Sequence, residues 1–128
     1  MQRLLVVKDS GGSPQQCLAA TAYMMEAVSK GRTQGAPVLR IARPGDEALV
    51  LGRFQRASSA LNADAVAERE LPLLRRLSGG TTAVLGEGRL YVALVLPDRT
   101  EPLDCEPRQF LQRYGAGIIR GLVALGTK

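Results

Sequence analysis

Two adjacent arginines lead into a short glycine-rich segment, and this is the sharpest chemical signal in the chain. The segment reads Arg75-Arg76-Leu77-Ser78-Gly79-Gly80. Guanidinium groups bind phosphate through charge-assisted hydrogen bonds, and glycines let backbone N–H groups approach an anion closely. The pattern predicts an anion-binding loop. The alternative is a plain turn between strands with both arginines in water, and the motif alone leaves both interpretations open.

A second polar segment, Leu51-Gly52-Arg53-Phe54-Gln55, lies upstream. It ends a β-rich run with an arginine and an amide, two side chains that can hold a polar ligand. An ordinary loop after a strand would read the same way.

The two cysteines are weak candidates for chemistry. Cys17 falls on the apolar stripe of a predicted helix, where a thiol is a small core residue. Cys105 stands between Asp104 and Glu106, and these carboxylates would raise the pKa of its thiol and discourage attack. The cysteines lack metal-ligand spacing and the chain has no histidine, so no structural metal site is predicted.

Composition indicates an ordinary globular protein. The chain has 128 residues, 45% of them hydrophobic, and no run of about 18 to 20 apolar residues that could span a membrane. It begins without the apolar stretch of a signal peptide, so we expect it in the cytoplasm. The net charge of +5 comes from 14 arginines and 3 lysines, but aromatics are only 4%, which argues against a nucleic-acid binder.

In the first half of the chain, proline, glycine and capping residues divide the sequence into short predicted strands and a helix. Residues 2–7 predict a strand, and Ser13-Pro14 predicts the start of a helix that ends at Gly31. Residues 38–43 and 48–52 predict two strands joined as a hairpin by a proline–glycine turn.

The second half continues with strands and closes on a helix. Asn62 predicts the cap of a helix over residues 63–68. Strands are predicted over 73–76, 81–85 and 89–96, the last apolar on both faces and therefore central in its sheet. An apolar stripe predicts a helix over 106–125, on which Gly117 and Gly121 would let another backbone approach. The order predicts an α+β fold with helices packed on a mixed, mostly antiparallel sheet.

Taken together, the segments at 51–55 and 74–80, with Asn62, Gly88 and the strand over 90–96, resemble the lipoate-protein ligase A family. The resemblance covers about residues 13–126 and includes the wider biotin/lipoate ligase superfamily. It implies one ligase-like domain over residues 1–128 that uses ATP and lipoate as substrates, with Mg²⁺ allowed, and that meets a lipoyl-domain carrier protein. By resemblance, Arg76 contacts the phosphate of an acyl-adenylate and Arg53 flanks the acyl pocket. The nucleotide loop would comprise Ser78, Gly79, Gly80, Thr81, Thr82 and Ala83.

The chain departs from the family pattern around this loop. The family continues with further glycine and a His-Asp pair, whereas Thr81 and Thr82 stand here and the His-Asp pair is absent. Arg89 and Tyr91 replace asparagines that the family often has on the next strand. The polar contacts at the mouth of the pocket must therefore differ from those of the family, which leaves open a subfamily with an altered ligand.

The family's activating lysine, in a Lys-x-x-Gly segment after the last helix, falls outside these residues. The resemblance thus implies an N-terminal part, truncated at the C-terminus, whose catalytic residues are unknown and which needs a complementary C-terminal chain or self-association. The alternative is a non-catalytic binding or interaction module of the same fold. Lys128 lies outside any such motif and is interpreted as part of a frayed terminus.

Overall fold

The computed structural model describes residues 3–97 and 106–127. The described residues fall into two compact units, one within residues 1–97 and one within 98–128. The first unit contains six strands and three helices, and the second contains one helix. The α+β class with mixed sheets is confirmed, while a single domain over residues 1–128 stays a prediction.

One three-stranded sheet, here called sheet A, is built from both ends of the first unit. It contains β1 (Leu5–Asp9), β2 (Val38–Ala42) and β6 (Tyr91–Val95), in the order β1-β2-β6. The strands β1 and β2 are parallel, and β2 and β6 are antiparallel. Among the described strands β6 is therefore at an edge, so the prediction that it is central is wrong, and its residues are half-buried.

The second three-stranded sheet, sheet B, lies in the middle of the sequence. It contains β3 (Ala48–Leu51), β4 (Leu73–Arg75) and β5 (Ala83–Leu85), in the order β4-β3-β5. The strands β3 and β4 are parallel, and β3 and β5 are antiparallel. Each sheet thus has one parallel and one antiparallel pair, so the described strands are evenly mixed rather than mostly antiparallel.

The predicted hairpin of residues 38–43 and 48–52 is wrong because β2 and β3 belong to different sheets. The connection between them packs against another loop instead of closing a tight turn. Pro44 is fully buried, and the N–H of Gly45 donates to the carbonyl of Gly12 at 3.1 Å. Gly11 is at φ +80, and a Cβ there would lie 2.7 Å from the nitrogen of Pro44. Pro44 and Gly45 therefore lie in a connection between the two sheets.

The helix caps are where the sequence placed them. Helix α1 (Pro14–Ser29) begins with a capping box in which the Ser13 hydroxyl accepts from the N–H of Gln16 and the Gln16 side chain accepts from the N–H of Ser13. Gly31 follows its end at φ +70, as the C-terminal glycine rule requires. Helix α3 (Ala63–Arg69) is capped by Asn62, whose side chain accepts from the N–H of Ala65. The four-residue helix α2 (Ala57–Ala60) has no side-chain cap, and the sequence did not predict it.

The two sheets and α1 share one small core. Cys17 of α1, Ala42 of sheet A and Val50 and Leu85 of sheet B form a buried cluster. Alternate residues of β2 and β3 point into it, which is the period of two expected of strands with one covered face. This core anchors β3, from whose end the candidate site projects.

The second unit is described by helix α4 (Pro107–Ala124). Phe110 and Tyr114 stack on its surface with ring centroids 4.7 Å apart. Gly126 follows the helix at φ +84, which confirms the predicted end. A Cβ built on Gly117 or Gly121 would meet nothing within 4 Å among the described residues, so the close approach of another backbone there stays a prediction.

Candidate functional site

The two segments singled out by the sequence meet at the carboxyl end of β3. Leu51 pairs with Arg75 of β4, and Val50 pairs with Ala83 of β5. The chain from β4 to β5 must therefore cross over the end of β3, where the turn of residues 52–55 begins. We call residues 76–82 the crossing loop and residues 52–55 the Gly52–Gln55 turn. The glycine loop thus joins β4 to β5 at one rim of sheet B.

Arg76 lies inside the crossing loop and binds its carbonyl oxygens. Its Nε and Nη2 donate to the carbonyl of Gly79 at 3.2 and 2.7 Å, and Nη2 also donates to the carbonyl of Thr81 at 2.8 Å. Its Nη1 donates to the carbonyl of Val50 at 3.2 Å. Four of the five N–H groups of a guanidinium are thus engaged with backbone oxygens. The Arg76 side chain therefore fixes the conformation of the crossing loop and ties it to β3.

Three carbonyls of the crossing loop accept hydrogen bonds, whereas the amides of its residues 77–82 have no partner among the described residues. The Ser78 carbonyl accepts from the N–H of Arg53 at 2.9 Å, in addition to the two carbonyls held by Arg76. Within the described part of the chain, no group accepts a hydrogen bond from the N–H groups of residues 77–82. Residues 78–81 are exposed and Gly80 adopts φ +93. Backbone N–H groups without an acceptor in an exposed, glycine-containing loop are suited to binding an anion.

The side-chain amide of Gln55 links the Gly52–Gln55 turn to the crossing loop. The Oε1 of Gln55 accepts from the N–H of Gly52 at 2.8 Å and from the hydroxyl of Thr82 at 3.1 Å. Threonine at position 82, a departure from the family's glycine-rich pattern, therefore has a structural partner. The turn and the loop form one surface.

Arg53 and Phe54 project from this surface. The Arg53 guanidinium carbon lies 5.5 Å from the centroid of the Phe54 ring, within the range of a cation–π contact. The ring is 82% exposed, and a Cβ on Gly79 would lie 3.9 Å from it. A cation and an apolar ring thus stand beside the exposed amides.

A second polar cluster lies in sheet A, and the sequence analysis missed it. Arg40 is 2% exposed and holds Asp9 through two hydrogen bonds of 2.8 Å, from Nε to Oδ2 and from Nη2 to Oδ1. Its Nη1 donates to the carbonyl of Cys17 at 2.7 Å, and Thr21 and Tyr91 share a hydrogen bond of 3.0 Å nearby. A signal existed, because an arginine inside the apolar run of residues 38–42 needs a buried partner.

The cluster changes the titration of two groups. The hydrogen bonds from Arg40 hold the pKa of the Asp9 carboxyl below its ordinary value, against the opposing effect of burial. Burial raises the pKa of the Cys17 thiol despite its contact with Arg40. Cys17 is fully buried, so it is the inert core residue that the sequence predicted. Cys105 lies outside the described residues.

Comparison with known proteins gives the chain a family. The profile of the lipoyl protein ligase A/B catalytic domain matches residues 13–128. The chain belongs to this family. An octanoyltransferase LipM from an Exiguobacterium species is 31% identical to it over 122 residues, which are 95% of this chain and 43% of that protein. The chain thus spans less than half the length of this relative.

Solved structures of the ligase fold agree with this assignment. A candidate lipoate protein ligase from Thermoplasma acidophilum with bound lipoic acid is 26% identical and has a TM-score of 0.58, over 73% of this chain and 36% of that one. A bipartite lipoate protein ligase from the same organism has a TM-score of 0.73 over 100% of this chain and 47% of that one. Its identity is 21%, so it supports the fold alone.

The ligase-family residues predicted from sequence are brought together by the structure. Arg53, Arg76 and residues 78–83 all lie on the turn, on the crossing loop or at the start of β5. Among the residues that the structure covers, no three His, Cys, Asp or Glu side chains could hold a metal ion. No helix in that part of the chain is long and apolar enough to cross a membrane.

Proposed function

We propose that this ligase-family domain binds lipoate or a related medium-chain acid as its adenylate, for transfer to a lysine of a carrier protein. The observation that carries the proposal is the crossing loop, in which the carbonyls of Ser78, Gly79 and Thr81 are held by Arg53 and Arg76 while the N–H groups of residues 77–82 have no acceptor among the described residues. An acyl-adenylate is a mixed anhydride of the acid and AMP, and it presents a singly charged phosphate between an apolar acyl chain and the adenosine. The backbone N–H groups of the loop can donate to this phosphate. Because Arg53 and Arg76 already hold three of the loop's carbonyls, the loop needs little rearrangement when the ligand binds.

The surroundings of the loop support a ligand with one charged and one apolar part. Arg53 supplies a cation beside the amides, and Phe54 supplies an exposed apolar ring. The Exiguobacterium relative is named an octanoyltransferase, and the Thermoplasma structure holds lipoic acid. Both names refer to the same eight-carbon acyl class, so we propose a substrate of that length.

The role proposed for Arg76 follows from its contacts. Three of its N–H groups bond to loop carbonyls and a fourth bonds to the carbonyl of Val50 in β3. We propose that Arg76 aids phosphate binding by fixing the conformation of the loop and through its charge, with one Nη1 N–H left for direct contact. Ser78, Thr81 and Thr82 are the side chains that could add hydroxyl contacts to the phosphate or to ATP, with Mg²⁺ accompanying the nucleotide.

The Thermoplasma structure that covers the whole of this chain is a bipartite lipoate protein ligase, and by this likeness we propose that the domain works with a second chain that supplies the activating lysine. Helix α4 exposes several large apolar side chains, with Leu111 at 70% and Val123 at 63% exposure. Such a surface suits association with a partner chain or a second copy. A cytoplasmic setting, where ATP and carrier proteins meet, remains part of the proposal.

The experiment measures binding and turnover separately. Calorimetry with a non-hydrolysable lipoyl- or octanoyl-adenylate mimic tests the site, and AMP and the free acids serve as partial ligands. Incubation with ATP, acid and a lipoyl domain, with and without a candidate partner chain, tests transfer. Micromolar or tighter mimic binding with transfer only in the presence of the partner is expected. Mimic binding without transfer under any condition would favour a non-catalytic binding module, and no binding would reject the proposal.

A further inference from the structure

Arg75 contacts the Gly52–Gln55 turn and takes no part in holding the crossing loop. Its Nη1 donates to the carbonyls of Gly52 at 2.8 Å, Arg53 at 3.2 Å and Gln55 at 2.6 Å. A single nitrogen of one side chain thus gathers three backbone oxygens of a four-residue turn. The neighbouring Arg76 gathers the oxygens of the other loop, so the adjacent arginines serve two different segments.

Besides Arg75, the turn is held by two internal bonds and by two bonds to the crossing loop, from the N–H of Arg53 to the carbonyl of Ser78 and from the hydroxyl of Thr82 to the side chain of Gln55. Its internal bonds are from the N–H of Gln55 to the carbonyl of Gly52 at 3.2 Å and from the N–H of Gly52 to the side chain of Gln55. The Arg53 and Phe54 side chains are exposed, so burial does not fix them. The conformation that directs these two side chains outward depends on where the carbonyls of the turn point.

We propose that Arg75 is a positioning residue for the site: it sets the Gly52–Gln55 turn and acts on the ligand only through Arg53. This inference rests on the proposed function for its effect on ligand affinity, whereas its effect on the turn is independent of any ligand. The side chain is exposed and charged, and a simpler assignment would make it a second phosphate ligand. Its Nη1 is committed to three oxygens of the turn, so direct contact with an anion would have to use Nε or Nη2, and the double-mutant cycle below distinguishes the two roles.

The two arginines should respond differently to lysine. An ammonium group carries three donors on a single nitrogen, so it can stand in for the Nη1 of Arg75. It cannot reproduce the fork by which Nε, Nη1 and Nη2 of Arg76 reach three carbonyls. Arg75→Lys should therefore preserve the turn, and Arg76→Lys should not preserve the loop.

The first measurement needs no ligand. Amide hydrogen exchange and chemical shifts of residues 52–55 are recorded by NMR in the wild type, Arg75→Ala and Arg75→Lys, with Arg69→Ala on α3 as an exposed arginine control. Faster exchange and shifted resonances confined to the turn are expected in Arg75→Ala, with recovery in Arg75→Lys and no change in Arg69→Ala. A turn that is unchanged in Arg75→Ala would overturn the inference.

The second measurement is a double-mutant cycle on affinity for the acyl-adenylate mimic, with Arg53→Ala, Arg75→Ala and both together. Arg75→Ala is expected to weaken binding by about 10- to 150-fold, the scale of losing one charge-assisted contact, and to add little once Arg53 is gone. Arg75→Lys should restore most of the affinity, whereas Arg76→Lys should remain weak. Independent, multiplying effects of Arg53→Ala and Arg75→Ala would show direct contact and contradict the inference.

The NMR and affinity measurements distinguish failure of the proposed function from failure of the Arg75 inference. If the wild-type protein does not bind the mimic, the proposed function fails, and the effect of Arg75 on affinity fails with it. The NMR arm then still decides whether Arg75 holds the turn.

Discussion

Gly52 and Gly80 approach each other more closely than any side chain would allow. A Cβ built on Gly52 would overlap the carbonyl oxygen of Gly80 and lie 2.9 Å from its carbonyl carbon. Gly52 is buried and ends the strand β3, over which the crossing loop passes. The absence of a side chain at position 52 is therefore what lets the loop close on the strand.

Gly52→Ala is expected to abolish high-affinity binding of the acyl-adenylate mimic. The new methyl group must push the backbone of Gly79 and Gly80 away, which disturbs the amides and the carbonyls that Arg76 holds. Overpacking of this kind costs about 1 to 3 kcal/mol in the free energy of unfolding. Calorimetry measures the affinity and urea unfolding measures the stability.

The matched control is Gly45→Ala, because a Cβ at that position meets nothing within 4 Å. It should leave both quantities close to the wild type. Wild-type affinity in Gly52→Ala would show that the crossing loop is not part of the ligand site.

Arg76→Ala is expected to weaken mimic binding by about 1.5 to 3 kcal/mol, the usual size of a hydrogen bond that involves a charged group. The loss combines the missing charge with a loop whose carbonyls are no longer held. Calorimetry at two salt concentrations separates these effects, because screening weakens only the contribution of charge. Unchanged affinity would remove Arg76 from the site.

The local signals in the sequence were reliable where the chemistry is local. The capping serine of α1, the capping asparagine of α3 and the glycine loop at residues 78–80 were each identified from a few neighbouring residues. Pairing between distant strands was not recoverable in this way. Residues 38–43 and 48–52 read as a hairpin, because nothing in the short turn reveals that Pro44 is buried against the loop of Gly11 and Gly12.

The candidate site shows the same division. The sequence and the family resemblance identified Arg53, Arg76 and the crossing loop as candidates. The direction in which each arginine side chain points depends on tertiary contacts. A guanidinium that binds phosphate and one that binds carbonyls look identical in sequence. Asp9 and Arg40 were missed because their partnership spans 31 residues and joins two strands of sheet A.

Asp9→Asn is expected to destabilise the fold and to reduce its sensitivity to acid. The native pKa of Asp9 is lowered by Arg40, so this stabilisation is present above the pKa of the unfolded chain, about 3.9. It is lost as the pH falls through the lowered native value. Removing the carboxylate leaves a buried guanidinium without its partner, at a cost of about 2 kcal/mol near neutral pH, since water still reaches Asp9.

The measurement is the free energy of unfolding in urea from pH 7 to pH 2. The wild type should lose stability over the acid end of this range more steeply than Asp9→Asn. Equal slopes in the two proteins would mean that the Asp9–Arg40 pair has no part in acid sensitivity.

The 128-residue chain by itself is expected not to activate lipoate or octanoate at a useful rate. Formation of an acyl-adenylate gathers negative charge on the carboxylate and the α-phosphate, and its stabilisation needs a cation placed at that point. Lys30, at the end of α1, is paired with Glu26. Lys8 lies on β1 of sheet A, whereas the crossing loop belongs to sheet B. Arg53 and the amides can hold the product without accelerating its formation, since binding alone does not lower the barrier.

Pyrophosphate release from ATP, measured with and without the acid, decides the matter. No acid-dependent release is expected from the chain alone, and addition of a chain carrying the Lys-x-x-Gly segment should restore it. Arg76→Ala should lower the restored rate, which would tie the activity to the crossing loop. Acid-dependent release by the purified monomer at the rate of an ordinary ligase would show that a residue of this chain supplies the cation. Lys8→Ala and Lys30→Ala would then identify that residue. Only the substitution of the lysine that faces the reacting carboxylate should abolish turnover.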